Sequence, residues 1–325
     1  MNGKGRLRGW GGVGGMALAL AAAASLLVPL SRHEAGEDGR VGGSGVGQGV
    51  QAKADTCKDP EASLTPSADA EGPAIDRIKQ RGKLVAGVDQ NSYRWGYRNP
   101  ATGKLEGFDI ELVRAIAKNI LGDPDAVIYR AIPTSQRIPA LQKDQVDIVV
   151  RTMTINCKRI GQVAFSSAYF EAGQQVLAPK ESEITGYNDT LKGKKVCTAA
   201  GSTAFDELEK KSYGAVYKNL TVPSQLDCLV RLQLGQVDAV VTDNALAAGQ
   251  AAQDPAAQLK GTRFTTEYYG VATKLGNDDL VRRINQVLVD YRSGGADSPW
   301  MKAYRDWLAA DLPGISGPPE PKYRS

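Results

Sequence analysis

"LQKDQVDIVVRT" (Leu141–Thr152) and "LQLGQVDAVVTD" (Leu232–Asp243) are one phrase written twice in the same chain. Each begins at the end of a helical pattern, passes a short turn, and runs through "VDIVV" or "VDAVV". Both end on a charged or hydroxyl tip, Arg151-Thr152 in the first and Thr242-Asp243 in the second. An apolar run of this length bounded by turn residues reads as a buried strand. Two copies of helix, turn and strand point to two similar α/β lobes.

The flanking sequence extends both copies. "AIDRIKQRG" (74–82) is a helix stopped by glycine, and "KLVAGVD" (83–89) is a buried strand. "FDIELVRAIAKNIL" (108–121) sets Ile110, Val113, Ile116, Ala117 and Ile120 on one helical face. "AVIYRAI" is a further strand, and "SQRIPALQKDQ" opens with Ser135 as a helix cap. In the second half, "KKVCTAA" precedes the glycine turn and helix "GSTAFDELEKK", and "VPSQLDCLVRLQLGQ" offers Leu226, Leu229, Val230 and Leu232 to a core. Strands alternating with helices predict parallel sheets and an α/β class. "SSAYFEAGQQVLAPK" crosses from one lobe to the other, and "RFTTEYYGVATK" crosses back. Two crossovers make a hinge with a cleft. The expected division is lobe 1 over 73–177 and 270–311, lobe 2 over 178–269, and a disordered proline-rich tail over 312–325.

The chain has 325 residues, 42% apolar and 23% charged, with a net charge of +4. That charge is too slight to argue for nucleic acid. The single histidine, His33, lies outside the part that reads as folded, which disfavours a histidine base or a histidine-rich metal site. Residues 1–33 combine basic Lys4, Arg6 and Arg8 with the apolar "MALALAAAASLLVPL". This is an export signal or an uncleaved membrane anchor; both readings stay open. The glycine-rich stretch 34–72 reads as a flexible tether outside the membrane. Four cysteines in an exported chain suggest two disulfides, and their spacing is not that of a metal site. Cys197, on a strand, pairs with Cys228, on the helix expected beside it. Cys57 and Cys157 pair by elimination. No metal or cofactor is expected.

Ligands of parallel α/β sheets sit beyond the carboxyl ends of the strands. Those ends carry Asp89, Tyr93, Arg94 and Trp95; Arg151, Thr152, Thr154 and Arg159; Gly201, Ser202 and Thr203; and Thr242 with Asp243. Arginines, hydroxyls, free amides and carboxylates together suit a zwitterion. The alternatives are ordinary: Asp243 and Ser202 are also good helix caps.

Several segments in order ("KLVAGVD", "GFDIELVRAIAK", "TMTINCKRIGQVAFSSAYF", "GKKVCTAAGSTAFDEL", "GQVDAVVTDNA", "YYGVATK") resemble the family 3 extracellular solute-binding proteins, which bind polar amino acids. The likeness is nearest to actinobacterial members for glutamate and aspartate, among them a mycobacterial sensor that signals to a soluble kinase. It implies a periplasmic-binding-protein type II-like fold and no enzymatic activity. It also implies roles. Thr152, Thr154 and Arg159 match the family's "T-x-T-x-x-x-R", with the arginine gripping the ligand α-carboxylate. Gly201, Ser202 and Thr203 meet that carboxylate from the other side, Asp243 takes the α-ammonium, and Tyr269 joins the set. Arg137 resembles the arginine that holds a side-chain carboxylate in relatives for acidic amino acids. With Arg151 it predicts an acidic amino-acid ligand. The implied partner is an ABC permease or a membrane sensor, with the N-terminus holding the protein at the membrane. An enzyme on the same fold, a dehydratase or wall lyase, is the alternative; it would have to use Asp89, Asp243 or Glu267 as its acid or base.

Overall fold

The computed structural model describes residues 57–324; the expected signal or anchor and the tether up to residue 56 lie outside the described residues. The first lobe is built on a five-stranded sheet. Its second strand, Leu84–Val88, runs parallel to the edge strand Val127–Ala131 on one side and to the central Ile148–Val149 on the other. Ala272–Lys274 and Val163–Phe165 complete it in antiparallel register. Leu84–Val88 is buried along its whole length because helices cover both faces. Leu84, Ala86 and Val88 face the larger core with Ile75, Ile78, Ile116 and Trp300. Val85 faces a smaller core with Leu141 and Val149. The helix Phe108–Leu121 buries the predicted apolar face and stops at Gly122, whose φ of 76° is the left-handed cap that glycine takes without strain.

The second lobe has a four-stranded sheet in the order Val196–Cys197, Ala239–Asp243, Gln174–Pro179, Ala257–Lys260. Only the first pair is parallel. Both sheets are therefore mixed, where strand-helix alternation alone predicts parallel ones. The reason is that the segments travelling between lobes enter each sheet against the direction of its strands. The two crossovers meet each other as well: Phe170–Ala172 pairs antiparallel with Glu267–Tyr269. Gln174 to Leu177 belong to the second sheet, a few residues earlier than the expected boundary. The helices Asp278–Arg292 and Pro299–Trp307 return to the first lobe, where Trp300 donates to the Tyr169 carbonyl at 2.7 Å.

Three expectations are corrected. The helix Arg137–Gln142 follows a tight turn over Thr134–Gln136, and its start has no side-chain cap, so Ser135 is not one. Val230 is 46% exposed, while Leu229 and Leu232 are buried. The expected tail and the end of the expected tether are ordered on each other. Ser63–Leu64 pairs in parallel with Tyr323–Arg324, Asn285 binds Ser63 and the Leu64 carbonyl, and Lys322 pairs with Asp59 and Glu61. Both predicted disulfides are present, Cys57–Cys157 and Cys197–Cys228.

Candidate functional site

A small cavity lies where the two sheets' carboxyl ends face each other. The loop after Ile148–Val149 supplies Arg151, Thr152 and Thr154. Thr152 holds a φ of 41°, unusual for a β-branched residue. Its amide donates to Asp109 Oδ2 at 3.1 Å, which holds the loop in this shape. Asp109 is buried under the loop and also accepts from the Tyr169 hydroxyl at 2.8 Å. Burial pushes its carboxyl up to about 7, against the two hydrogen bonds.

Arg159 sits on the short helix Cys157–Ile160, whose start is capped by the Asn156 side chain. Its guanidinium is buried, donates to the Thr154 carbonyl at 2.7 Å, and crosses the cleft to the Gly201 carbonyl at 3.2 Å. Arg137 is buried too. It donates to the carbonyls of Thr134, Arg151 and Thr152 at 3.0, 3.2 and 3.3 Å, and reaches towards Gly201 at 3.5 Å. Burial lowers both guanidinium pKa values, and for Arg137 the neighbouring Arg159 and Arg151 add to it. Two cations thus converge on one carbonyl oxygen, a position that a ligand carboxylate would fill better.

The opposite wall comes from the second lobe. Asp243, at the end of its strand, accepts from the Tyr269 hydroxyl and from Gln174. Its side chain does not cap the following helix. Burial first, then the nearby Glu267, raises its pKa to about 7. Ser202 does cap its helix, accepting from the Phe205 amide at 3.1 Å, and still lines the cavity; Thr203 beside it accepts from Gln174 at 3.0 Å.

Other expected residues stand elsewhere. Arg151 is inside but already paired: its guanidinium meets Asp89 at 2.8 Å, with both side chains buried. Asp89 also accepts from Ser92 and two backbone amides, while Arg151 still lines the cavity with its Nε unpartnered among the described residues. Arg94 turns away to Asp311 and the Trp307 carbonyl. Trp95 is a core residue, although its indole donates across the cleft to the Ala245 carbonyl at 3.1 Å. Tyr93 lines an adjoining hollow with Gln225 and Leu246 rather than the cavity itself. Thr242 lies on the other side of its pleated strand from Asp243 and does not line the cavity. Thr134, Gln174, Gln225 and Leu246 line it without having been predicted. Among the described residues no group of acidic, cysteine or histidine side chains could hold a metal ion.

Two lobes on a double crossover, with cations on one wall and carboxylates on the other, define a protein that encloses a small zwitterionic solute. Residues 84–309 match the model of the bacterial extracellular solute-binding proteins, family 3, and the chain belongs to that family. It is 38% identical over 234 residues to the ABC transporter glutamine-binding protein GlnH of Bacillus subtilis, covering 72% of this chain and 84% of that one. It is 28% identical over 250 residues to the L-glutamate/L-aspartate-binding protein of Pseudomonas aeruginosa, covering 74% and 81%. An ancestral arginine-binding protein solved with glutamine bound superposes with a TM-score of 0.64 at 36% identity, covering 70% of this chain and 98% of that one. These relatives are binding proteins, not enzymes. The family is extracellular; among the described residues no helix is long and apolar enough to cross a membrane.

Proposed function

We propose that the chain binds an acidic amino acid, glutamate or aspartate, outside the cytoplasm and delivers it to an ABC permease. Amino-acid binding and the permease follow the names of the relatives. The acidic preference rests on Arg137. Its described partners are all backbone carbonyls, so its hydrogen bonds are met but its charge is not. An unanswered buried charge is costly, and a second ligand carboxylate answers it. In this reading Arg159 grips the α-carboxylate beside Thr152, Thr154, Ser202 and Thr203, while Asp243 and Tyr269 receive the α-ammonium. Arg151 no longer supports the preference, because Asp89 neutralises it.

Glutamine is the second reading, favoured by that pairing and by the relative from Bacillus subtilis. Calorimetry with glutamate, aspartate and glutamine decides between them. The acidic ligands are expected to bind at least tenfold tighter, about 1.4 kcal/mol, and Arg137→Ala is expected to remove that margin. Equal or tighter binding of glutamine would establish the second reading. A membrane sensor in place of the permease would use the same site. Ligand uptake that persists when this protein is removed from cells would favour that partner.

A further inference from the structure

We propose that Glu267, on the returning crossover, is a ligand-binding residue: with Asp243 it forms a two-carboxylate seat for the ligand's ammonium group. This rests on the amino-acid reading above and goes beyond it, since neither the motifs nor the cavity's lining residues single out Glu267. The side chain is 4% exposed. One carboxylate oxygen accepts from Thr265 at 3.1 Å, and the other has no hydrogen-bond partner among the described residues. Glu267 and Tyr269 share a face of the strand Glu267–Tyr269, two residues apart, and the Tyr269 hydroxyl is bonded to Asp243. Gln174, bonded to Asp243 through its amide nitrogen, likewise leaves its amide oxygen unpartnered. Buried acceptors without donors are rare in folded proteins, and an ammonium brings three donors.

The charges around Glu267 agree with such a seat. Arg159 faces it from the first lobe, Asp243 from the second, Tyr269 from its own strand, and Lys210 from the helix Thr203–Lys210. Among the described residues, none of these cations comes within ion-pairing distance of Glu267. Burial and the nearby Glu267 carboxylate raise Asp243 to about 7, so in the empty protein Asp243 holds its proton part of the time near neutral pH. An incoming ammonium keeps its own proton and displaces that of Asp243 to the buffer. Ligand binding is thereby linked to proton release, and affinity falls by up to about tenfold per pH unit below 7.

Calorimetry on the full-length chain at pH 7, in two buffers of different ionisation enthalpy, measures that proton directly. With L-glutamate the wild type is expected to release a measurable fraction of a proton. Glu267→Gln removes part of what raises Asp243 and is expected to release a smaller fraction and to bind about tenfold more weakly. The oxo analogue 2-oxoglutarate lacks the ammonium, and its affinity is expected not to fall in Glu267→Gln. Thermal melts report whether the variant is folded. If it is not, absence of proton release by the wild type still overturns the proposal. So does unchanged or tighter binding of L-glutamate by folded Glu267→Gln, the result expected of a mere counter-ion to Arg159. A wild type that binds none of glutamate, aspartate or glutamine would instead refute the amino-acid reading on which the seat depends.

Discussion

Arg159 and Arg151 lie eight positions apart, one on a short helix and one on the loop before it, and have opposite prospects. Arg159 reaches over the cleft to a carbonyl, whereas Arg151 ends on Asp89. Arg159→Ala is expected to weaken ligand binding about 30-fold or more, since truncating an arginine that grips a desolvated carboxylate costs roughly 2–5 kcal/mol; calorimetry on the folded variant checks this. Arg151→Ala is expected to cost stability instead, about 3–5 kcal/mol in denaturant melts, because it strands a buried aspartate. Asp109 carries the pH signature of the fold. As an acid raised to about 7, it stabilises most below its unfolded value near 4, and this contribution is lost as pH rises through 7. Asp109→Asn is expected to flatten that slope in thermal melts between pH 4 and 7. Sequence position located these side chains at strand ends but not their directions. A strand end says that Arg151, Arg94 and Arg159 are near the ligand side, yet only the folded backbone decides which of them meets an aspartate first. Gln174 and Gln225 carried no signal, being neutral amides without motif or periodicity.

At the level of helices and strands, period and punctuation were sufficient where an element buries one face. The helix Phe108–Leu121 shows its stripe and its glycine stop in the letters themselves. The strand direction within each sheet did not follow, because direction depends on how a segment returns from the other lobe. The pairing of Ser63–Leu64 with Tyr323–Arg324 was illegible for a similar reason: two-residue strands 260 positions apart have no periodic pattern, only backbone groups that find each other. The disulfide Cys197–Cys228 ties a sheet strand to the helix packed on it across a separation of 31 residues. Replacing both cysteines by serine is expected to lower the stability of the second lobe by about 3–4 kcal/mol while leaving the ligand contacts in place. Denaturant melts of the double variant with and without ligand measure both effects.

For the molecule as a whole, polar contacts join the two lobes around the cavity. Trp95 donates to Ala245, Lys158 meets Asp206 at 3.4 Å, and Gly201 approaches Ser135 so closely that a Cβ there would lie 3.1 Å from the Ser135 Cα. Gly201 also has a φ of 77°, which a β-branched residue adopts only with strain. Closure about the crossovers brings these surfaces together, so scattering is expected to show a smaller radius of gyration on adding ligand. Gly201→Val is expected to keep the lobes apart and to lower affinity at least tenfold with Arg159 untouched; an unchanged radius in the wild type would speak against the hinge.

Both ends of the described chain are fastened to the first lobe, by the Cys57–Cys157 bond and by the pairing of Ser63–Leu64 with Tyr323–Arg324. Any pull on the N-terminal segment therefore enters, through Cys157, the short helix that carries Arg159, and passes around the crossovers. The second lobe carries no load and is free to swing. Tension on the N-terminus thus acts on the helix of Arg159, and single-molecule stretching with ligand present is expected to register a closed lifetime that shortens with force, an effect lost when Cys57 is replaced by serine.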